Sequence, residues 1–133
     1  MKYNSRKRKG QKEYVDARRK ADGTFNNVRI TRDSDIVAEI CKSGAVLNCT
    51  ARVKEVSYKY GHDNILLQHI VFQYEGTEYY IEHCWLQEQD YPTGFYESVK
   101  EGWKYYFQFE FYRYRDAVDR GMHGMTIHYA EIY

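Results

Sequence analysis

Along the middle of the chain, apolar and polar residues alternate with a period of two. Between residues 47 and 53 every second residue is apolar, which predicts a half-buried β-strand. The apolar phase then shifts by one position and continues at Val56, Tyr58 and Tyr60. A shift inside one long strand is typical of a β-bulge, which bends the strand as barrel closure requires. The pattern therefore predicts a long, bent first strand over residues 45–60.

Further strands are predicted downstream of a turn at residues 61–64. They cover residues 65–74, 78–86, 103–112 and 125–132. Glu75, Gly76 and Thr77 predict a tight hairpin between the second and third strands. Residues 95–100, inside the polar insertion between the third and fourth strands, could form a short helix or turn. The whole pattern predicts an all-β domain of five strands.

The fourth predicted strand marks its buried face clearly. Its aromatic stripe is Trp103, Tyr105, Phe107, Phe109 and Phe111. A domain this small needs large side chains to bury enough apolar area, so we expect this stripe in the core.

The sequence does not decide which face of the third predicted strand is buried, because either of its two alternating sets of residues could face the core. Ile81 and Trp85 favour one phase for the core, and that choice buries or half-buries His83. The same choice leaves Tyr80 and Glu82 on the outside.

The N-terminal part of the chain differs from the rest. Residues 1–27 have almost nothing to bury, and this predicts a flexible tail. Residues 28–43 allow two interpretations. Val28 and Ile30 alternate with charges as in a short strand, whereas Ser34 and its acidic neighbours could cap a helical turn through residues 36–40. We therefore predict a tail over residues 1–27 and a barrel domain over residues 28–133, with residues 28–43 an ambiguous lead-in.

The net charge of +1 hides a strong asymmetry. Residues 1–20 contain nine basic and two acidic residues, a balance of +7, and the remaining residues carry −6. Such an arm favours a polyanionic partner. The acidic body argues against simple phosphate binding there, because acids such as Asp63, Glu78 and Glu82 would repel phosphates.

The bulged first strand, the hairpin and the late insertion together resemble the OB-fold, a five-stranded, partly open Greek-key barrel. Residues 99–107, with Gly102 before an apolar strand, are similar to the start of OB strand four. The resemblance covers about residues 44–133, and other small β folds such as SH3-like barrels give a similar pattern. It implies a binding surface on the outer face of strands two and three, with the loops beside them. The short, tyrosine-rich chain with its basic arm also resembles small phage and mobile-element proteins.

These features predict a non-enzymatic module that binds nucleic acid, with single-stranded DNA or RNA favoured. Basic arm residues would contact phosphates and barrel tyrosines would stack on bases. The candidates in the arm are Arg6, Lys7, Arg8, Lys9, Arg18, Arg19 and Lys20. The candidates on the barrel are Tyr58, Tyr60, His62, Tyr74 and Tyr80.

The alternative is a protein-interaction module, such as a phage or mobile-element inhibitor or adaptor. Its acidic, tyrosine-rich barrel would meet the basic cleft of a nucleic-acid-binding protein.

Several other functions are not expected. No phosphate-binding loop, nucleophile elbow or HExxH motif occurs, and neither a cofactor nor a metal site is predicted. No apolar run approaches the roughly 20 residues of a membrane helix. Three scattered cysteines are typical of reduced thiols, which favours a cytoplasmic location.

Overall fold

The computed structural model describes residues 27–114 and 121–133, which form a mainly β domain. Its strands are β1 (Val28–Ile30), β2 (Leu47–Lys59), β3 (His62–Tyr74), β4 (Thr77–Gln87), β5 (Lys104–Arg113) and β6 (His123–Ile132). Its helices are α1 (Asp35–Ser43), a 3-10 turn (Glu88–Asp90) and α2 (Phe95–Ser98). The predicted arm residues and most of the predicted tail lie outside the described residues.

The strands form one curled, half-barrel sheet in the order β1-β4-β3-β2-β5-β6. Neighbouring strands are antiparallel, except that β1 runs parallel to β4, with Val28 opposite Tyr79. The prediction of five strands is therefore corrected to six. The additional strand, β1, is only three residues long and needs the edge of β4 for its pairing, which local alternation does not reveal.

The ambiguous lead-in contains both of the predicted elements in succession. Val28–Ile30 is a strand, and α1 follows it. Val37 and Ile40 lie on the inward face of α1 and are fully buried, since their spacing places both on one side of a helix. The helix ends at Gly44, whose left-handed backbone (φ 72°) directs its N–H to the carbonyl of Cys41 at 3.1 Å.

The bulge predicted in the first strand is confirmed. Pairing between β2 and β3 shifts between Thr50 and Arg52 and again between Val53 and Glu55. On the core side of β2, Cys49, Ala51 and Val53 are buried. These irregularities bend β2, which lies between β3 and β5 at the centre of the sheet.

The aromatic stripe of the fourth predicted strand is confirmed from Tyr105 to Phe111, all of whose inward side chains are buried in the core cluster. The prediction was wrong for Trp103, which precedes β5 and is 45% exposed. It follows Gly102, whose turn (φ 86°) interrupts the alternation before the strand begins.

β4 is the third predicted strand, and each of its two alternating sets of residues is buried over one half of it. Ile81 points into the core as expected, but beyond it Cys84 and Leu86 are buried while His83 and Trp85 are exposed. The expectation for His83 and Trp85 was therefore wrong. The paired strand β3 changes its inward phase at the same level, where His69 has φ 57°. Both strands bend there together, a long-range effect of the curl.

Candidate nucleic-acid interface

Three of the predicted barrel residues lie together at the turn between β2 and β3. Tyr60 and Gly61 form the turn and both have positive φ, 56° and 83°. Tyr58 and Tyr60 are the most exposed large side chains of the group, at 68% and 94%, and His62 is half-buried. The predicted turn and second strand thus begin earlier than expected, because the connection is a two-residue hairpin loop.

The other two predicted tyrosines are not part of this group. Tyr74 lies at the far end of β3, half-buried against the core. Tyr80 lies on the outer face, as expected, yet it is only 3% exposed. Its hydroxyl is 3.0 Å from Nδ1 of His69, and the Arg29 guanidinium lies 5.2 Å from its ring centre. Stacking of a base on Tyr80, which needs an accessible ring face, is therefore not supported.

The surroundings of the β2–β3 turn are acidic. Burial, together with the negative charges of Asp63, Glu88 and Glu97, raises the pKa of Tyr91 to about 12. Desolvation and the negative charges of Asp63 and Glu97 also raise the pKa of the nearby Tyr96. We call this region, with Tyr58, Tyr60 and His62, the acidic end. Its negative charge opposes binding of a phosphate backbone.

A second aromatic surface lies on the outer face of β2, β5 and the end of β6. The rings of Tyr106 and Tyr133 are stacked with their centres 4.8 Å apart and tilted by 34°. The Lys104 ammonium lies 3.9 Å from the centre of the Tyr133 ring. Tyr106 is 48% and Tyr133 59% exposed, so both rings keep an accessible surface. This is a cation–aromatic arrangement open to solvent.

Arg52 extends this surface beside the start of β5. A separate pair, Lys100 with its ammonium 5.8 Å from the centre of the exposed Trp103 ring, lies before β5, where the main chain of Trp103 pairs with that of the core-facing Val53. Arg52 is opposite Lys104 in the β2–β5 pair and donates a hydrogen bond to the Gly102 carbonyl at 2.6 Å. We call Arg52, Lys104, Tyr106 and Tyr133 the platform.

Strand register explains why these residues meet. Cross-strand partners share a face of the sheet, and Arg52 and Lys104 therefore point the same way. The main-chain N–H of Tyr133 donates to the Lys104 carbonyl at 3.1 Å, which holds the end of the chain beside β5. Local alternation did place Lys104 and Tyr106 on the polar face of β5. The approach of the C-terminus and Arg52 requires the register, so the platform was missed from the sequence.

A cleft of about 440 Å³ adjoins the platform on the outer face. Tyr106 forms one side of it, and Thr50 and Val71, which face each other in the β2–β3 pair, form part of its floor. A smaller depression, of about 220 Å³, lies beside β1 and β4 near Arg29 and Arg32.

A buried polar cluster around Asp90 lies elsewhere in the fold, and we interpret its role as structural. The carboxylate of Asp90, 3% exposed, accepts hydrogen bonds from the Tyr112 hydroxyl at 2.6 Å and from the Gln87 N–H at 2.9 Å. Burial raises the pKa of Asp90. Both carboxylate oxygens are thus engaged by the protein itself.

Within the described ranges, no three His, Cys, Asp or Glu side chains are placed to hold a metal ion. In the same part of the chain no helix has the length and apolar character needed to cross a membrane. Comparison of the chain with protein families, curated proteins and solved structures found no match.

Proposed function

We propose that this chain is a nucleic-acid-binding module that holds a single strand of DNA or RNA across the platform. The observation that carries the proposal is a pair of exposed aromatic rings beside a cation, with the Tyr106 and Tyr133 ring centres 4.8 Å apart and the Lys104 ammonium 3.9 Å from the ring centre of Tyr133. Aromatic rings stack on unpaired bases, and cations bind the phosphates between those bases. In this arrangement the chain acts as a binding module and not as an enzyme.

The aromatic rings and the charged groups have different roles in this binding. Tyr106 and Tyr133 offer stacking surfaces that only unpaired bases can reach, which favours single strands over duplexes. Each stacked base contributes about 1–3 kcal/mol to binding. Arg52 and Lys104 lie where phosphates of the same strand would pass. The basic residues of the arm, residues 1–20, add further phosphate contacts that do not depend on base sequence.

An OB-like architecture agrees with this function and is part of the proposal. In it, β2–β6 correspond to the five strands of the barrel, and β1 is an addition at the edge of β4. The bulged β2 pairs with both β3 and β5, and β3 forms a hairpin with β4. OB barrels bind oligonucleotides on their outer strands and adjoining loops. The platform would be an extension of that surface toward β5 and β6.

The test is fluorescence anisotropy with labelled single-stranded and double-stranded oligonucleotides over a salt series. Tyr106→Ala should weaken single-strand binding roughly 5- to 150-fold, the loss of one stacking surface. Lys104→Ala should reduce the slope of log K against log salt by about 0.7 if one phosphate contact is lost.

Tyr60→Ala is the matched control, because Tyr60 is an equally large aromatic residue that lies at the acidic end and is 94% exposed. Its binding should equal that of the wild type. Equal losses for Tyr60→Ala and Tyr106→Ala, or no loss for either, would exclude the platform as the binding surface. A chain lacking residues 1–26 separates the arm from the platform. If it keeps single-strand binding that depends on Tyr106, the barrel contributes on its own.

The second candidate function is a protein-interaction module that binds through the acidic end. The observation in its favour is the combination of highly exposed Tyr58 and Tyr60 with the acidic groups that surround Tyr91. Tyrosine is enriched in binding patches, and acidic charge suits the basic cleft of a nucleic-acid-binding protein. Affinity capture with wild-type protein and with Tyr60→Ala tests it. A partner held by the wild type and lost by the variant would support this function, and equal recovery would reject it.

A further inference from the structure

We propose that the cleft beside Tyr106 is a nucleobase subsite that prefers guanine. The inference rests on the proposed function and specifies which base the surface selects. The cleft has a volume of about 440 Å³, within the usual range of small-molecule sites of roughly 300–1,000 Å³. A planar base fits in such a space with room for its sugar at the opening.

The cleft forms because two central strands separate. Pairing between β2 and β3 ends at Cys49 and Phe72, and the residues before Cys49 pair only with β5. On the outer face, Thr50 is opposite both Val71 and Tyr106, so two small side chains lie beside a large ring. The ring forms a wall above a shallow floor, and a base lying on that floor would meet the Tyr106 ring.

Polar side chains surround this floor. Asn48, Gln73 and Glu78 line the cleft, and Gln73 and Glu78 face each other in the β3–β4 pair. Among the hydrogen bonds of the described residues, none uses the side chain of these three. Their donors and acceptors are therefore available to a ligand.

The carboxylate of Glu78 decides which base is preferred. A carboxylate offers two adjacent acceptors and no donor. Guanine alone among the four DNA bases presents two adjacent N–H donors, N1–H and the N2 amino group, on its Watson–Crick edge. The negative charge of Glu78 also repels a phosphate, so the group admitted to the cleft is the base. Asn48 and Gln73 supply amide donors for the O6 acceptor beside those two N–H groups.

The cleft and the platform form one continuous surface. Tyr106 lines the cleft and is stacked on Tyr133, beside Lys104. A single strand crossing the platform therefore brings one nucleotide to the cleft while its neighbours remain near the cations. The platform binds any sequence, and the cleft adds a preference at one position.

The experiment uses labelled 15-mer oligothymidylates that carry one central guanine, adenine, cytosine or hypoxanthine, with full-length protein and anisotropy as the readout. The guanine oligonucleotide should bind wild type about 5- to 150-fold more tightly than the adenine and cytosine ones, the discrimination expected of one bidentate pair. Hypoxanthine, which lacks the N2 amino group, should lose most of this preference. Glu78→Gln should abolish it, because an amide presents only one acceptor to the two donors.

Glu75→Gln is the matched control, since it makes the same charge change in the β3–β4 turn, and Glu75 does not line the cleft. It should keep the guanine preference. Equal binding of all four oligonucleotides by wild type, with Tyr106→Ala still weakening binding, would overturn the guanine subsite and leave the platform standing. If wild type binds none of them, both the subsite and the proposed function are overturned.

Discussion

Replacing Gly124 by alanine is expected to destabilise the domain strongly through a single methyl group. Gly124 is opposite Tyr112 in the β5–β6 pair and is buried. A Cβ atom there would lie 2.6 Å from Cζ of Tyr112 and 2.7 Å from Cε1 of Tyr114, well inside van der Waals contact. The glycine is thus required for space, because the two tyrosine rings lie against the backbone of β6.

The size of the loss in the free energy of unfolding follows from the contacts that the Tyr112 ring would lose. Overpacking of this kind costs about 1–3 kcal/mol. Movement of the ring would also stretch the 2.6 Å hydrogen bond from its hydroxyl to Asp90, and a buried carboxylate short of one donor costs about 1–3 kcal/mol more. The lower entropy of the unfolded alanine chain offsets about 0.4–1 kcal/mol. We expect a net loss of about 1–5 kcal/mol in the free energy of unfolding.

Urea denaturation followed by tryptophan fluorescence measures this loss for Gly124→Ala. The same substitution in a Tyr112→Leu background isolates the cause. There the penalty should fall, and it should fall further when Tyr114 is also replaced by leucine. A penalty below about 0.5 kcal/mol, the usual size of an uneventful substitution, would refute the steric reasoning. An equal penalty in all three backgrounds would refute the role of the tyrosine rings.

Two further predictions concern stability. Burial raises the pKa of Asp90, so the folded state holds this proton more tightly than the unfolded state. Its contribution to the free energy of unfolding is therefore fully present below pH of about 4 and is lost as pH rises through the raised pKa. In urea denaturation from pH 3 to 7, the free energy of unfolding of Asp90→Asn should increase relative to that of wild type as pH rises. A constant difference between the two free energies would contradict this. Tyr60→Asn should raise stability by about 1 kcal/mol, because Tyr60 is 94% exposed at φ 56° and a two-residue hairpin loop favours Asn-Gly. Thermal denaturation tests it, and an unchanged or lower melting temperature would contradict the assignment of strain to this turn.

Much of the secondary structure could be predicted because alternation is a local property. The bulge in β2 follows from a shift of apolar phase between Val53 and Val56, and the stripe from Tyr105 to Phe111 marks the buried face of β5. The candidate site could be predicted less well. The exposed tyrosines of the β2–β3 turn were identified, but they lie among acidic groups. Trp103 was expected in the core and is instead exposed beside Lys100.

The positions of strands β2–β6, the bend in β2 and the uneven distribution of charge follow from local sequence, since each depends on neighbouring residues alone. Which residues of β4 are exposed depended on the tertiary structure. The common bend of β3 and β4 near His69 reverses the inward phase, so that Trp85 becomes exposed and Cys84 buried. Strand register brings Arg52, Lys104 and Tyr133 together from distant parts of the chain. Register and curl are set by pairing between segments far apart in sequence, and therefore only the folded sheet creates the platform and its cleft.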